Sequence, residues 1–231
     1  MSGKLLLSGP SDTAGLKALI DLLKSRGVGT TIVDGALSRL SLASPAVTEA
    51  MILATGAAVA GNIPELVRKT KYVYELIGIE EIEKALRPES STRLAPLTQG
   101  VWAVSDGGEP IDLELPSVLM LERSGENLFR HGRRIYATGI VTDKLFQLLR
   151  TQQREVELII RDFTRVFASP EAFYAFLRRG HRIRVVHRSR LLAVTVNPTA
   201  PSGLVLDSRQ LCEAMQEALQ IPVYDVKKMP E

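Results

Sequence analysis

Thr30-Thr31-Ile32-Val33-Asp34-Gly35 and Met51-Ile52-Leu53-Ala54-Thr55-Gly56-Ala57 are the stretches on which the fold turns. Each is a short apolar or β-branched run that stops at a small, polar cluster. Runs this short, closed by Gly, read as buried strands whose C-terminal ends open into loops. In open α/β sheets, that edge is where ligands bind. The alternation extends on both sides. Residues 4–8 read as a short strand, and Gly9-Pro10-Ser11-Asp12-Thr13 as a turn with candidate helix caps. Leu16, Leu19, Ile20 and Leu23 then recur at helical spacing up to Gly27. After strands at 30–33 and 51–54, Pro64 opens a helix with an apolar face of Leu66, Val67, Val73, Leu76 and Ile77.

From about residue 88 to 125 the text changes, with several Pro, Gly and Ser residues and little helical period. Residues 101–104 and 117–121 read as strands separated by the turn signal Asp106-Gly107-Gly108. Beyond it alternation resumes, with strands at 134–137, 157–160, 182–187, 191–196 and 223–226. Helices are expected at 143–150, 170–179 and 206–219. Strand-helix-strand repetition predicts an α/β fold, a mainly parallel sheet flanked by helices with right-handed crossovers. The expected organisation is one compact domain, with an N-terminal α/β half (1–87), a β-rich insertion (88–125) and a C-terminal α/β half (126–231).

The chain's 231 residues suffice for a full core, and 45% hydrophobic with 24% charged residues is ordinary globular composition. A net charge of +3 does not by itself argue for nucleic acid as a partner. The single cysteine, Cys212, excludes an intrachain disulfide and suits a reducing cytoplasm. Beside Leu211 and Met215 it reads as a packed thiol. No apolar run approaches the ~20 residues of a membrane span. Leu5-Leu6-Leu7 stops at Gly9-Pro10, so no signal peptide is expected. The expectation is a cytoplasmic protein without membrane contact.

The chemistry-bearing residues admit more than one reading. Asp34 either caps a turn or holds the water shell of Mg²⁺, as the second acidic motif of phosphate-loop NTPases does. Ser11 at a helix start is either part of a cap or a donor to an anion. Ala-Thr-Gly closes a strand twice, at Thr55 and at Thr138, where a hydroxyl can donate or accept beside a ligand. Asn197, in Asn197-Pro198-Thr199-Ala200-Pro201, either begins a rigid connector or reads a planar base. Gathered on one sheet edge, these residues would form a nucleotide site. Asp34 would be its catalytic and metal-bearing residue, Thr55 would contact a phosphate or switch loop, and Asn197 would contact the base. Thr138 and Ser11 would complete it. The basic run holding Arg178, Arg179, Arg182, Arg184, Arg188 and Arg190 is either a solvated face or a contact for phosphates or an acidic partner. His131, His181 and His187 show no metal-ligand spacing, and no Ser-His-Asp set can be assembled. The Gly-x-x-x-x-Gly-Lys-Ser/Thr loop that wraps nucleotide phosphates does not occur in the chain.

Ile32-Val33-Asp34-Gly35-Ala36-Leu37-Ser38-Arg39, with Ala43-Ser44-Pro45, Thr48-Glu49-Ala50 and Ile52-Leu53-Ala54-Thr55-Gly56-Ala57, resembles one known family. It is the reactivating factor of lysine 5,6-aminomutase, in its subunit with phosphate-loop NTPase character. Ser8-Gly9-Pro10-Ser11 ahead of an amphipathic helix fits the same pattern. The match covers about residues 5 to 80; the Asn197-Pro198 loop and Pro222-Val223-Tyr224-Asp225 fit the family's C-terminal part less distinctively. The resemblance implies a helper in lysine degradation that acts on an enzyme using adenosylcobalamin and pyridoxal phosphate. With ATP and Mg²⁺, such a helper releases damaged cobalamin so that intact cofactor can enter. Its implied partners are the aminomutase and a second reactivase subunit. The implied fold is phosphate-loop NTPase-like, with Asp34 as the magnesium residue. Without the phosphate loop, ATP is expected to bind this chain weakly. The alternatives are a non-catalytic binding or scaffold subunit, or a fragment of an ATP-dependent ligase-like protein.

Overall fold

Helix α1 (Thr13–Ser25) begins where Asp12 turns extended and its carboxylate accepts the Gly15 amide at 2.8 Å. It ends on Gly27, whose φ of +85° lets the Val28 and Gly27 amides turn back onto the Leu23 and Lys24 carbonyls. The computed structural model describes residues 9–10, 12–34, 44–45, 47–84, 86, 88–118, 120 and 128–228. The expected strand at 4–8, Ser11 and the Gly35–Arg39 motif lie outside them.

The expected strand at 30–33 does not form. These residues belong to no strand, and Ile32 is 88% exposed. A strand exists only where a neighbour takes its backbone bonds, and no described strand lies beside this one. Its two apolar residues, between Gly29 and Asp34, offer a sheet little to bury.

The second run does form a strand, β1 (Met51–Gly56). Asn62 then caps α2 (Ile63–Ile77), accepting the Glu65 amide at 2.9 Å, with Pro64 in the first turn. After α3 (Glu89–Leu94) come β2 (Val101–Val104), β3 (Pro110–Leu115) and β4 (Arg134–Ala137). Next are β5 (Val141–Thr142), α4 (Asp143–Arg150), β6 (Glu157–Ile160), β7 (Val166–Phe167) and α5 (Pro170–Arg178). The chain closes with β8 (Arg182–Val185), β9 (Leu191–Asn197), α6 (Ser208–Leu219) and β10 (Val223–Asp225).

These strands make an α/β fold with two principal sheets. The first, ordered β1-β9-β10, is parallel throughout. The second, ordered β3-β2-β4-β6-β8, is mixed: β4, β6 and β8 run parallel, while β2 lies antiparallel to both β3 and β4. β5 and β7 form a small parallel pair. The strand expected at 117–121 is replaced by β3, and the described residues Ser117, Val118 and Met120 lie outside any strand. The turn explains it, since a tight turn at Asp106-Gly107-Gly108 lets the return strand start at Pro110 and pair at once with β2. The middle segment thus extends the same sheet as β4.

The second sheet is covered on both faces. Ile135, Leu158 and Ile160 pack against Phe146, Leu149, Phe173 and Phe176 of α4 and α5. Tyr136 and Ile159 point the other way, onto Ile82 and Leu94. Two-sided burial is why 134–137 and 157–160 read as unbroken apolar runs. In the first sheet, Val194, Val196 and Val223 pack against Leu66, Leu211 and Met215 of α2 and α6. Its other side leaves Ile52 and Tyr224 exposed.

A buried charge cluster ties the beginnings of β4 and β6 to the middle of β8. Glu157 accepts from Arg134 Nε at 2.6 Å and from Arg184 Nε at 3.3 Å. Arg134 also reaches Asp106 at 2.5 Å, and Arg184 reaches Glu80. Burial pulls the Arg134 guanidinium down, but its bonds to Asp106 and Glu157 outweigh that, raising it above its ordinary value. No described helix is long and apolar enough to cross a membrane.

Candidate functional site

The parallel first sheet has one C-terminal edge, and two loops leave it side by side. In the β1–β9 register Thr55 stands opposite Val196 and Gly56 opposite Asn197. The contact between the strand ends is very close: a Cβ on Gly56 would lie 2.2 Å from the Asn197 carbonyl oxygen. That oxygen instead accepts the Ala57 amide at 2.9 Å. Only glycine lets the backbones meet here. Above the meeting point lies an open cleft of about 420 Å³, with Ala54, Ala58 and Ala200 on its walls and Lys227 at its rim. Small walls bring a ligand close to the backbone, and Lys227 supplies a positive charge, having no ion pair with any described residue.

The polar side chains at this edge are already engaged. Thr55 Oγ1 shares a hydrogen bond with Thr70 Oγ1 of α2 at 3.0 Å. Asn197 Oδ1 accepts the Thr199 amide at 3.0 Å and so folds the start of its own loop. Asp225, at the end of β10, accepts from Ser208 Oγ and from the Lys227 amide, tying the start of α6 to the segment that carries Lys227. Val59, which lines the cleft, has its carbonyl bound by Lys69 of α2 at 3.2 Å, and Lys69 also pairs with Glu65, whose carboxyl it holds below the ordinary range.

Of the residues singled out in the sequence, the structure brings Thr55 and Asn197 together. Thr138 closes β4 in the second sheet, buried, with its hydroxyl donating to the Gly100 carbonyl at 2.8 Å, and it does not line this cleft. The two Ala-Thr-Gly segments therefore close strands of different sheets. Asp34 is exposed, outside any strand, and is also absent from the cleft wall. Among the described residues, no three His, Cys, Asp or Glu side chains come together where a metal ion could sit.

Two polar residues were missed. Lys227 follows the last strand, in a stretch with no motif. Asp162 follows β6 in Leu158-Ile159-Ile160-Arg161-Asp162, the same acid-after-apolar-run signal that drew attention to Asp34. It is buried, accepting from Ser44 Oγ at 2.8 Å, the Thr164 amide at 3.0 Å and Thr164 Oγ1. It thereby anchors Ser44, from the loop ahead of β1, to the second sheet. The Cys212 thiol is pushed up, first by burial and then by Asp225, as befits a packed side chain. Comparison with protein-family models, with curated proteins and with solved structures returned no match.

Proposed function

We propose that this chain is a component of a reactivating system for an adenosylcobalamin- and pyridoxal-phosphate-dependent lysine 5,6-aminomutase, and that nucleotide enters the cleft between the ends of β1 and β9. The reactivase reading rests on the resemblance over residues 5 to 80, of which Ile52 to Ala57 makes the strand and its exit. The observation that carries the binding reading is the backbone meeting of Gly56 and Asn197 beneath a cleft of about 420 Å³ at the ligand edge of a parallel sheet. Lys227 meets phosphate charge, and the backbone past Gly56 lies close enough to face the ligand.

Release of a damaged cofactor needs a partner state that binds it less tightly. Nucleotide contributes only through its different affinity for the two states, and a tenfold shift takes about 1.4 kcal/mol. A cleft made by two separate loops suits that role, because its occupancy can depend on how the loops stand. Asp34 outside this cleft favours a second reading, a binding or scaffold subunit that acts on the aminomutase without nucleotide turnover. A cytoplasmic location belongs to the same proposal, in keeping with the single packed Cys212.

The test is release of corrinoid from inactivated aminomutase, followed by absorbance, with the full chain present and with or without ATP and Mg²⁺. The expected result is release that needs the chain and ATP and falls with Gly56→Val or Lys227→Gln. Release equal with and without ATP selects the scaffold reading. Failure of the chain to bind the aminomutase or release any corrinoid overturns both.

A further inference from the structure

The N-terminal end of the first sheet carries a larger hollow, about 520 Å³, at the opposite end from the cleft. It lies where the basic run Arg188-Ser189-Arg190 enters β9, between the last turn of α2 and the segment that leads into β10. Four of its features call for a ligand. Ser189 is 9% exposed, and its Oγ has no hydrogen-bond partner among the described residues. A buried hydroxyl left unpaired is costly, and in native structures it takes a partner from the protein, a water or a bound group. Arg188 and Arg190 line the hollow and carry no ion pair with any described residue, whereas Arg182 and Arg184 of the same run are paired with Glu155, Glu80 and Glu157. Tyr74 and Tyr224 are among the residues that line it. Finally, Leu192 is 58% and Tyr224 48% exposed, so the wall offers apolar surface to cover.

The charge balance sets what can enter. Glu81 also lines the hollow, but one of its oxygens accepts the Arg188 amide at 3.2 Å. The carbonyl end of α2 at Gly78 adds about half a negative charge. Two guanidinium groups exceed both, leaving a net positive hollow with several donors. Guanidinium forks match the oxygens of phosphate, and the Ser189 hydroxyl adds another donor. We propose that this hollow is a second binding site, taking a phosphate monoester carried on a flat or aliphatic apolar body. Arg188, Ser189 and Arg190 hold the phosphate while Tyr74, Leu192 and Tyr224 cover the body. The volume is that of a small-molecule site.

Calorimetric titration of the full chain with 1-naphthyl phosphate tests this, beside 1-naphthoate, inorganic phosphate and 1-naphthol. One equivalent of naphthyl phosphate is expected to bind at least tenfold more tightly than any of the other three. Arg188→Gln with Arg190→Gln should weaken it tenfold or more and Ser189→Ala severalfold, while Lys227→Gln at the other end leaves it unchanged. Circular dichroism of each variant confirms that the fold persists. Naphthol binding equally well would reduce the hollow to an apolar groove. Inorganic phosphate binding equally well would reduce it to surface arginines. Naphthoate binding equally well would replace phosphate by carboxylate as the recognised group. Binding unmoved by the arginine substitutions would overturn the site outright. None of these outcomes bears on the nucleotide cleft, which has its own variants.

Discussion

Glu157→Gln is expected to be among the most damaging single substitutions in this protein, although it removes only a charge. The Glu157 side chain is 2% exposed, and the arginines that meet it, Arg134 and Arg184, are 8% and 13% exposed. At an effective dielectric near 20, two unit charges about 4 Å apart attract by about 4 kcal/mol. Desolvation offsets most of that in the intact cluster, so the network adds little net stability. Removing the central charge is different, because the cost of burying both guanidinium groups remains. Glutamine can accept from one arginine while its amide N–H₂ faces the other. Arg134 is left with Asp106 and Arg184 with Glu80, both acids reaching out to water. The expected loss is about 3–5 kcal/mol, or a fall in Tm of roughly 6–20 °C for a chain of this size. Urea unfolding followed by the single tryptophan reads it directly, since Trp102 lies on β2 beside Tyr136 of β4. Replacing all three residues (Arg134→Met, Glu157→Leu, Arg184→Met) should return stability to within about 2 kcal/mol of the parent, because Asp106 and Glu80 are then simply hydrated. A Glu157→Gln protein within about 1 kcal/mol of the parent would refute the reasoning, as would a loss that vanishes in high salt, the behaviour of exposed pairs.

Three further outcomes follow from the geometry. Gly56→Ala should destabilise by about 1–3 kcal/mol in the same unfolding assay, because its Cβ would meet the Asn197 carbonyl at 2.2 Å and force the strand ends apart. Cys212 should react with a disulfide reagent near pH 8 several-fold more slowly than a free thiol, since burial raises its pKa and lowers the thiolate fraction; a rate equal to that of the unfolded chain would contradict it. Tyr72→Phe should cost about 1 kcal/mol of unfolding free energy, the value of its 2.7 Å hydrogen bond to the Ala168 carbonyl.

How far the sequence could be read divides along the range of the interactions involved. Helix starts were legible where a local signal sits in the first turn, as with Pro64 of α2 and Pro170 of α5; the caps Asn62 and Ser169 just ahead of them emerged only in the structure. Strands buried on both faces were legible with their bounds, as at Arg134–Ala137 and Glu157–Ile160, because every residue must be apolar or paired. Pairing was not. β1 finds its neighbour in β9, far along the chain, and nothing in Met51–Gly56 names Leu191–Asn197 as the partner. The same ignorance of partners put residues 30–33 in a sheet, and it could not tell that Thr55 and Thr138 close strands of different sheets.

The candidate site follows the same division. Asn197 and Thr55 were found from local signals, a Pro-stiffened loop and a strand-ending Ala-Thr-Gly, and the parallel register of β1 and β9 makes them neighbours. Lys227 has no local signal at all. Its place at the rim is set by three long-range facts: β10 pairs with β9, Asp225 holds the Lys227 amide, and the Val226 amide bonds to the Val196 carbonyl. The arginine run shows the converse. Composition treats its members alike, but Arg182 and Arg184 meet acids on neighbouring elements, while Arg188 and Arg190 pass the end of β8 and reach the hollow unpaired. Which charges are structural and which are left for a ligand is decided by what the fold places opposite them. That is why each end of this parallel sheet has to be tested with variants of its own.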